Sequence, residues 1–253
     1  MCIRDSHCDE PPWTGWIAGV SEAGALTTMF TTDATTGANG AGIWMSGGGL
    51  VSDGSGQIMF ATGNGGTNTT PTPGKTPPAN LAESVARVAV QPNGTLKATD
   101  FFEPYDALTL DDNDLDFGSG SPIALPSTYF GTAAYPHLAV EVGKEGYVYL
   151  LNRDNLGGYA QGANGTDGVL ARYGPNGGVW SSPAVWPGDG GYVYIPTASG
   201  SVSAGGSEGL LDAYQYGLDG SGKPSLNLVG TSADAFGFGT SAPVCLLYTS
   251  RCV

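Results

Sequence analysis

Four stretches of this sequence share one design, a run of small residues leading into a short apolar segment. They are "WMSGGGLV" (44–51), "FGSGSPIAL" (117–125), "VWSSPAV" (179–185) and "FGTSAPV" (238–244). With Gly49, Pro122, Pro183 and Pro243 taken as equivalent, the spacings are 73, 61 and 60 residues. Behind each of the first three comes a turn and a strand-like segment: "DGSGQIMFATGNG", "VGKEGYVYLLNRDN" and "PGDGGYVYIPTASG". The two-residue alternation and the β-branched and aromatic residues of "GYVYLLNR" predict a half-buried strand. The SG, EG and GG pairs predict tight hairpins. Each unit is therefore expected to be a small antiparallel meander, with the proline at the head of its first strand, where no ladder bond is lost.

One such sheet cannot bury both of its faces, so successive units must stack to make a core. A repeat longer than about forty residues built from strand pairs is the mark of propeller blades or another closed array. The expected fold is all-β, a partial β-propeller of four-stranded antiparallel blades spanning 7–244, about three blades and a fraction. A β-sandwich is the alternative, and it leaves the recurrent phase unexplained. "GGTNTTPTPGKTPPAN" (65–80) and "GGYAQGANGTDG" (157–168) are expected to be loops inserted between strands, because the same pattern resumes after each.

Composition agrees with many short strands and turns. There are 42 glycines and 17 prolines against nine Lys plus Arg, which disfavours long helices. A formal charge of −14 argues against binding to nucleic acid, which needs clustered cations to displace counterions. No apolar run reaches the length of a membrane-crossing helix, and the N-terminus lacks a basic segment followed by an apolar one.

The two ends do not follow the interior. All four cysteines lie near them: Cys2, Cys8, Cys245 and Cys252. "MCIRDS" (1–6) back-translates to ATG TGT ATA AGA GAC AGx, which resembles a transposon-end sequencing adapter. "CLLYTS" (245–250) back-translates to the reverse complement of that element, and "RCV" (251–253) to its forward strand. Residues 1–6 and 245–253 are accordingly expected to be adapter-derived. The alternative is a native closing strand pinned by a Cys245–Cys252 disulfide. An array open at both ends is expected to be poorly stable or to aggregate through its unpaired edges.

The order "GIWMSGGGLVSDGSGQIMFATGNG", "FFEPYD", "DLDFGSGSPIAL", "GKEGYVYLLNRDN" resembles the pyrroloquinoline-quinone (PQQ) repeat propellers of the quinoprotein alcohol dehydrogenase superfamily. The resemblance covers 42–158 well and 178–244 as further blade-like sequence. It implies a calcium ligand at Asn64, a cation contacting the quinone carbonyls at Lys144, and, at Asp106, the nearest match to the aspartate base that takes the alcohol proton. Those types suit the chemistry: Ca²⁺ takes oxygen ligands, a carboxylate serves as base, and a fixed cation stabilises a developing oxyanion. The chain departs from the pattern where Ala107, Leu108 and Thr109 follow Asp106 without the expected tryptophan, and where no tryptophan follows "TGN". Each residue also has a plainer reading: Asn64 as a left-handed turn residue, Lys144 as a solvated hairpin charge, Asp106 as a turn cap.

Other motifs narrow the chemistry. Asp112, Asp114 and Asp116 match the first three EF-hand positions, but Phe117 stands where glycine is required and Ile123 where the bidentate glutamate belongs. A calcium-binding loop or an exposed acidic turn remains. His7 and Cys8 are too few for structural zinc, and His137 is expected to be a surface or packing residue. The five tryptophans, Trp13, Trp16, Trp44, Trp180 and Trp186, suit docking between blades or stacking on carbohydrate. The sequons at Asn68, Asn93 and Asn164 are expected to be turns. Two functions follow: an extracytoplasmic scaffold, periplasmic or secreted, whose loops bind a small molecule or a protein; or a dehydrogenase of alcohols or sugars dependent on PQQ and Ca²⁺.

Overall fold

The structure is a computed structural model, and it describes residues 12–65, 72–199, 208–237 and 241–244. Both adapter-like ends, all four cysteines, His7 and Asn68 lie outside the described residues. The chain forms consecutive antiparallel sheets. The first is a hairpin of β1 (Trp16–Val20) and β2 (Leu26–Thr31). The second is the meander β3 (Val51–Ser52), β4 (Gln57–Ala61), β5 (Val85–Val90) and β6 (Leu96–Glu103). The third joins β7 (Ile123–Leu125), β8 (Leu138–Val142), β9 (Val148–Asn152) and β11 (Ala171–Tyr173), and the fourth β12 (Ala184–Trp186), β13 (Tyr192–Ser199), β14 (Glu208–Leu218) and β15 (Pro224–Thr231). Among the described residues helix is confined to one short segment, α1 (Ala107–Asp112), and two single turns. None of the described helices is long and apolar enough to cross a membrane.

Pro122 and Pro183 immediately precede β7 and β12, where their missing N–H costs nothing. The predicted hairpin turns occur where Gly56, Gly146 and Gly191 adopt positive φ of 70°, 84° and 89°, a conformation that side chains resist. The described residues of the expected loop at 65–80 lie between β4 and β5, and the expected loop at 157–168 lies between β9 and β11 with a two-residue strand inside it. They also clasp each other: Gly74 and Tyr159 exchange two backbone hydrogen bonds, and β10 (Gly158–Tyr159) adds to β6 in parallel.

Two expectations about "GYVYLLNR" are corrected. It is the third strand of its sheet, paired with the preceding "LAVEV" of β8, whereas "GYVYIPTASG" supplies the second strand of the next. It is also buried on both faces. Val148 and Leu150 enter one apolar cluster with Val140, Val193, Ile195 and Leu226, between the third and fourth sheets. Tyr149 and Leu151 enter another with Phe60, Phe101, Phe102 and Phe117, between the second and third. Phe102, Phe117 and Tyr149 meet there at centroid distances of 5.2 to 5.8 Å. A sheet stacked between two others has no solvent face, and each fully buried leucine or phenylalanine contributes about 1.5–3 kcal/mol of transfer free energy.

The small-residue repeats converge. Met45 N–H donates to Gly118 O and Ser46 N–H to Ser119 O, pairs separated by the first repeat spacing. Ser121 and Ser182 Oγ lie 2.8 Å apart, separated by the second. A Cβ on Gly48 would sit 2.0 Å from Ser121 Oγ and 3.5 Å from Ser182 Oγ, and one on Gly47 would sit 3.1 Å from the Ala242 Cβ. Small residues recur at these positions because equivalent backbones of different repeats touch one another there. A larger side chain would drive the sheets apart.

Candidate functional site

The β4–β5 loop, the β6–β7 connection and the β8–β9 turn carry the candidate side chains, so the topology itself gathers them at one end of the second and third sheets. Two charged groups form there.

The first is centred on Asp116, which is 5% exposed and stands just before the turn that leads into β7. Its Oδ1 accepts Asn64 N–H at 2.9 Å and Trp44 Nε1–H at 3.3 Å. Its Oδ2 lies 2.5 Å from Lys144 Nζ. Lys144 also donates to Asp114 O and Asp114 Oδ1, both at 3.0 Å, and Asn64 Nδ2 reaches Asp114 Oδ1 at 3.4 Å. Burial works to lower the lysine pKa, but the hydrogen bonds and charges of Asp116 and Asp114 outweigh it and hold the ammonium protonated. Beneath lies Glu83, wholly buried at φ 45°, with Oε2 accepting Phe117 N–H at 2.5 Å and Oε1 without a donor. Burial pushes its carboxyl well above the ordinary range, with Asp116 and Asp111 adding to the rise. Asp111 accepts Gly65 N–H at 2.7 Å and is pushed up to about 6 by burial.

The second group is centred on Arg172 of β11. Its Nη2 lies 2.6 Å from Glu145 Oε1 and 3.2 Å from Asp106 Oδ2, and its Nη1 lies 3.5 Å from Asp167 Oδ2. The guanidinium stacks 3.6 Å above the Tyr147 ring. Tyr149 OH donates to Glu145 Oε2 at 3.1 Å. Burial, then the neighbouring Asp106 charge, push Glu145 up to about 7 against the opposing pull of Arg172.

The three residues named from sequence thus separate. Asn64 and Lys144 are brought together, joined through Asp114 and Asp116, while Asp106 belongs to the Arg172 group. Asn64 and Lys144 depart from their plainer readings, whereas Asp106 does stand at a cap. Asn64 is absent from the left-handed residues. The Lys144 side chain is only 14% exposed. Asp106 occupies the N-terminal cap of α1 without a side-chain capping bond. The acidic run divides likewise: Asp112 and Asp114 are exposed, whereas Asp116 is buried. Asn93 and Asn164 sit in turns, and the exposed His137 pairs with Asp154 at 2.8 Å.

The residues present do not fit a calcium-bound quinone in this arrangement. All three protons of Lys144 are directed at Asp114 and Asp116, so the ammonium fills the place between carboxylates that a cation would take. Among the described residues no group of three His, Cys, Asp or Glu converges for metal ligation. Asp167 and Arg172 are isolated charges in turn-like or alternating stretches, and Glu145 stands beside Lys144 in a hairpin turn, so no motif in the sequence singles them out. The one signal was the scarcity of arginine in this chain. No family model, curated protein or solved structure matches the chain.

Proposed function

We propose that the chain is a segment of an extracytoplasmic β-propeller of the PQQ-repeat kind that acts as a ligand-binding scaffold. The observation that carries the propeller reading is the mutual contact of equivalent positions, Gly48, Ser121 and Ser182, from three successive repeats. Residues related by rotation touch their own equivalents only near the rotation axis. With Cys2, Cys8, Cys245 and Cys252 replaced by serine, a Ser121→Cys, Ser182→Cys double variant is expected to form a disulfide on mild oxidation. Failure to cross-link in a folded protein would remove the axis.

Scaffold is preferred to catalyst because Lys144 is saturated by Asp114 and Asp116, and Asp106 is engaged by Arg172 through Oδ2. A PQQ- and calcium-dependent dehydrogenase is the second reading, favoured by the meeting of Asn64 and Lys144. Calorimetric titration of PQQ with and without Ca²⁺ decides between them. No calcium-dependent heat is expected, whereas binding of one quinone per chain, lost in Asn64→Ala, would reverse the order of the two readings. The proposed location is periplasmic or extracellular, in keeping with the resemblance and with the acidic, lysine-poor composition.

A further inference from the structure

We infer that the face around Trp44 is a binding platform for neutral, all-equatorial pyranose chains such as β-linked glucans. This names the ligand class for the scaffold reading and rests on it. Trp44 is 43% exposed, so it does not serve as buried packing between sheets. Its ring is nonetheless fixed. Nε1–H is tied to Asp116, and Trp13 lies against it at 5.4 Å with the planes tilted by 56°. Glycine backbones complete the seat: a Cβ on Gly63 would come within 2.5 Å of Trp44 Nε1, and one on Gly42 within 3.1 Å of its six-membered ring. Asp116 is itself clamped by Lys144. An indole held this way loses little freedom when a ligand stacks on it.

The polar side chains tied to the same Asp116–Lys144 clamp complete the reading. The Asp114 side chain is 70% exposed and carries a carboxylate that accepts from paired hydroxyls. Asn64 adds a carboxamide whose described contact is the 3.4 Å approach to Asp114. A ring beside a carboxylate and an amide meets both surfaces of a pyranose. Axial C–H groups lie on the indole, and equatorial hydroxyls reach the acceptors at the rim. An all-equatorial sugar presents the flattest C–H face, and its β-linked chain extends over an open surface. Charge excludes the acidic sugars, since Asp114, Asp116 and Asp111 outnumber Lys144 here and the whole chain carries −14.

The test is titration of cellohexaose into the full chain, followed by tryptophan fluorescence and calorimetry, with polygalacturonate as the anionic control. Binding is expected for cellohexaose and not for polygalacturonate. Trp44→Ala should weaken it by roughly tenfold or more and Trp44→Phe by much less, in line with about 1.4 kcal/mol per tenfold for one stacked ring. If Trp44→Ala does not fold, Asp114→Ala, at an exposed position, reads the same site and should weaken binding several-fold. Absence of binding to a cooperatively melting wild-type protein overturns the inference. So does binding unchanged in Trp44→Ala and lost in Trp16→Ala. Neither result touches the propeller reading, which stands or falls on the Ser121–Ser182 cross-link.

Discussion

Replacing Arg172 by methionine is expected to lower the unfolding free energy at pH 8 by about 3–5 kcal/mol, the cost of stranding buried charges, and to lower it much less at pH 5. The side chain is only 18% exposed and faces Asp106, Glu145 and Asp167. Those carboxylates come from the stretch after β6, the β8–β9 turn and the loop before β11, so the guanidinium ties three connections to one strand. Methionine keeps much of the volume over Tyr147 but leaves three carboxylates crowded together. Glu145 and Asp167 answer by taking up protons. Burial already holds Glu145 near 7 and raises Asp167 above its ordinary value. At pH 5 Glu145 already holds its proton and the repulsion is smaller, whereas at pH 8 that proton must be drawn from bulk solution. Arg172→Lys should fall between, because a point charge cannot reach carboxylates on both sides as the planar fork does. Urea titrations at the two pH values, read as midpoint shifts at constant slope, check this. Equal losses at both would assign the effect to packing against Tyr147 instead.

The repeat was legible because its cause is geometric. Gly47, Gly48, Ser121 and Ser182 are small where backbones of different repeats meet, and that demand recurs in sequence at the repeat spacing. The turns were legible because positive φ selects glycine. Burial of β8 and β9 was not. Alternation shows where a strand lies, but whether its second face is covered depends on a neighbouring sheet distant in sequence. β8 also hid behind Glu141, an acid in the middle of its apolar run that is nevertheless fully buried. Of the site, Asn64 and Lys144 were singled out through the order of motifs, but their link through Asp114 and Asp116 was not legible. The Arg172 group was not, since its partners are spread from Asp106 to Asp167 with no common spacing.

Stability should fall as the pH rises from about 5 to 8, the reverse of ordinary acid denaturation. Glu103 is 5% exposed and lies near Asp111, and burial, then that charge, push it up to about 8. Glu141 is fully buried, and burial raises it well above the ordinary range against the weaker opposing effect of the Val142 backbone. Glu83, Asp111 and Glu145 are raised as well. A carboxyl whose folded pKa exceeds its unfolded value near 4.5 binds its proton more tightly in the native state. Its contribution is therefore complete below the unfolded pKa and is lost as the pH climbs through the folded one. At about 1.4 kcal/mol per pKa unit, Glu103 alone carries a loss on the order of a few kcal/mol across this window. For a chain of this size that corresponds to roughly 5–10 °C in melting temperature. Glu141→Gln and Glu103→Gln keep the shape and remove the ionisation, so each should leave the pH 5 melting temperature nearly unchanged and raise the pH 8 value toward it. Scanning calorimetry of the three proteins at both pH values reads the effect directly. A wild-type protein more stable at pH 8 than at pH 5 would mean that these acids are ionised and partnered in the fold. A flat wild-type profile, with the glutamine variants no different, would place the buried acids in contact with water.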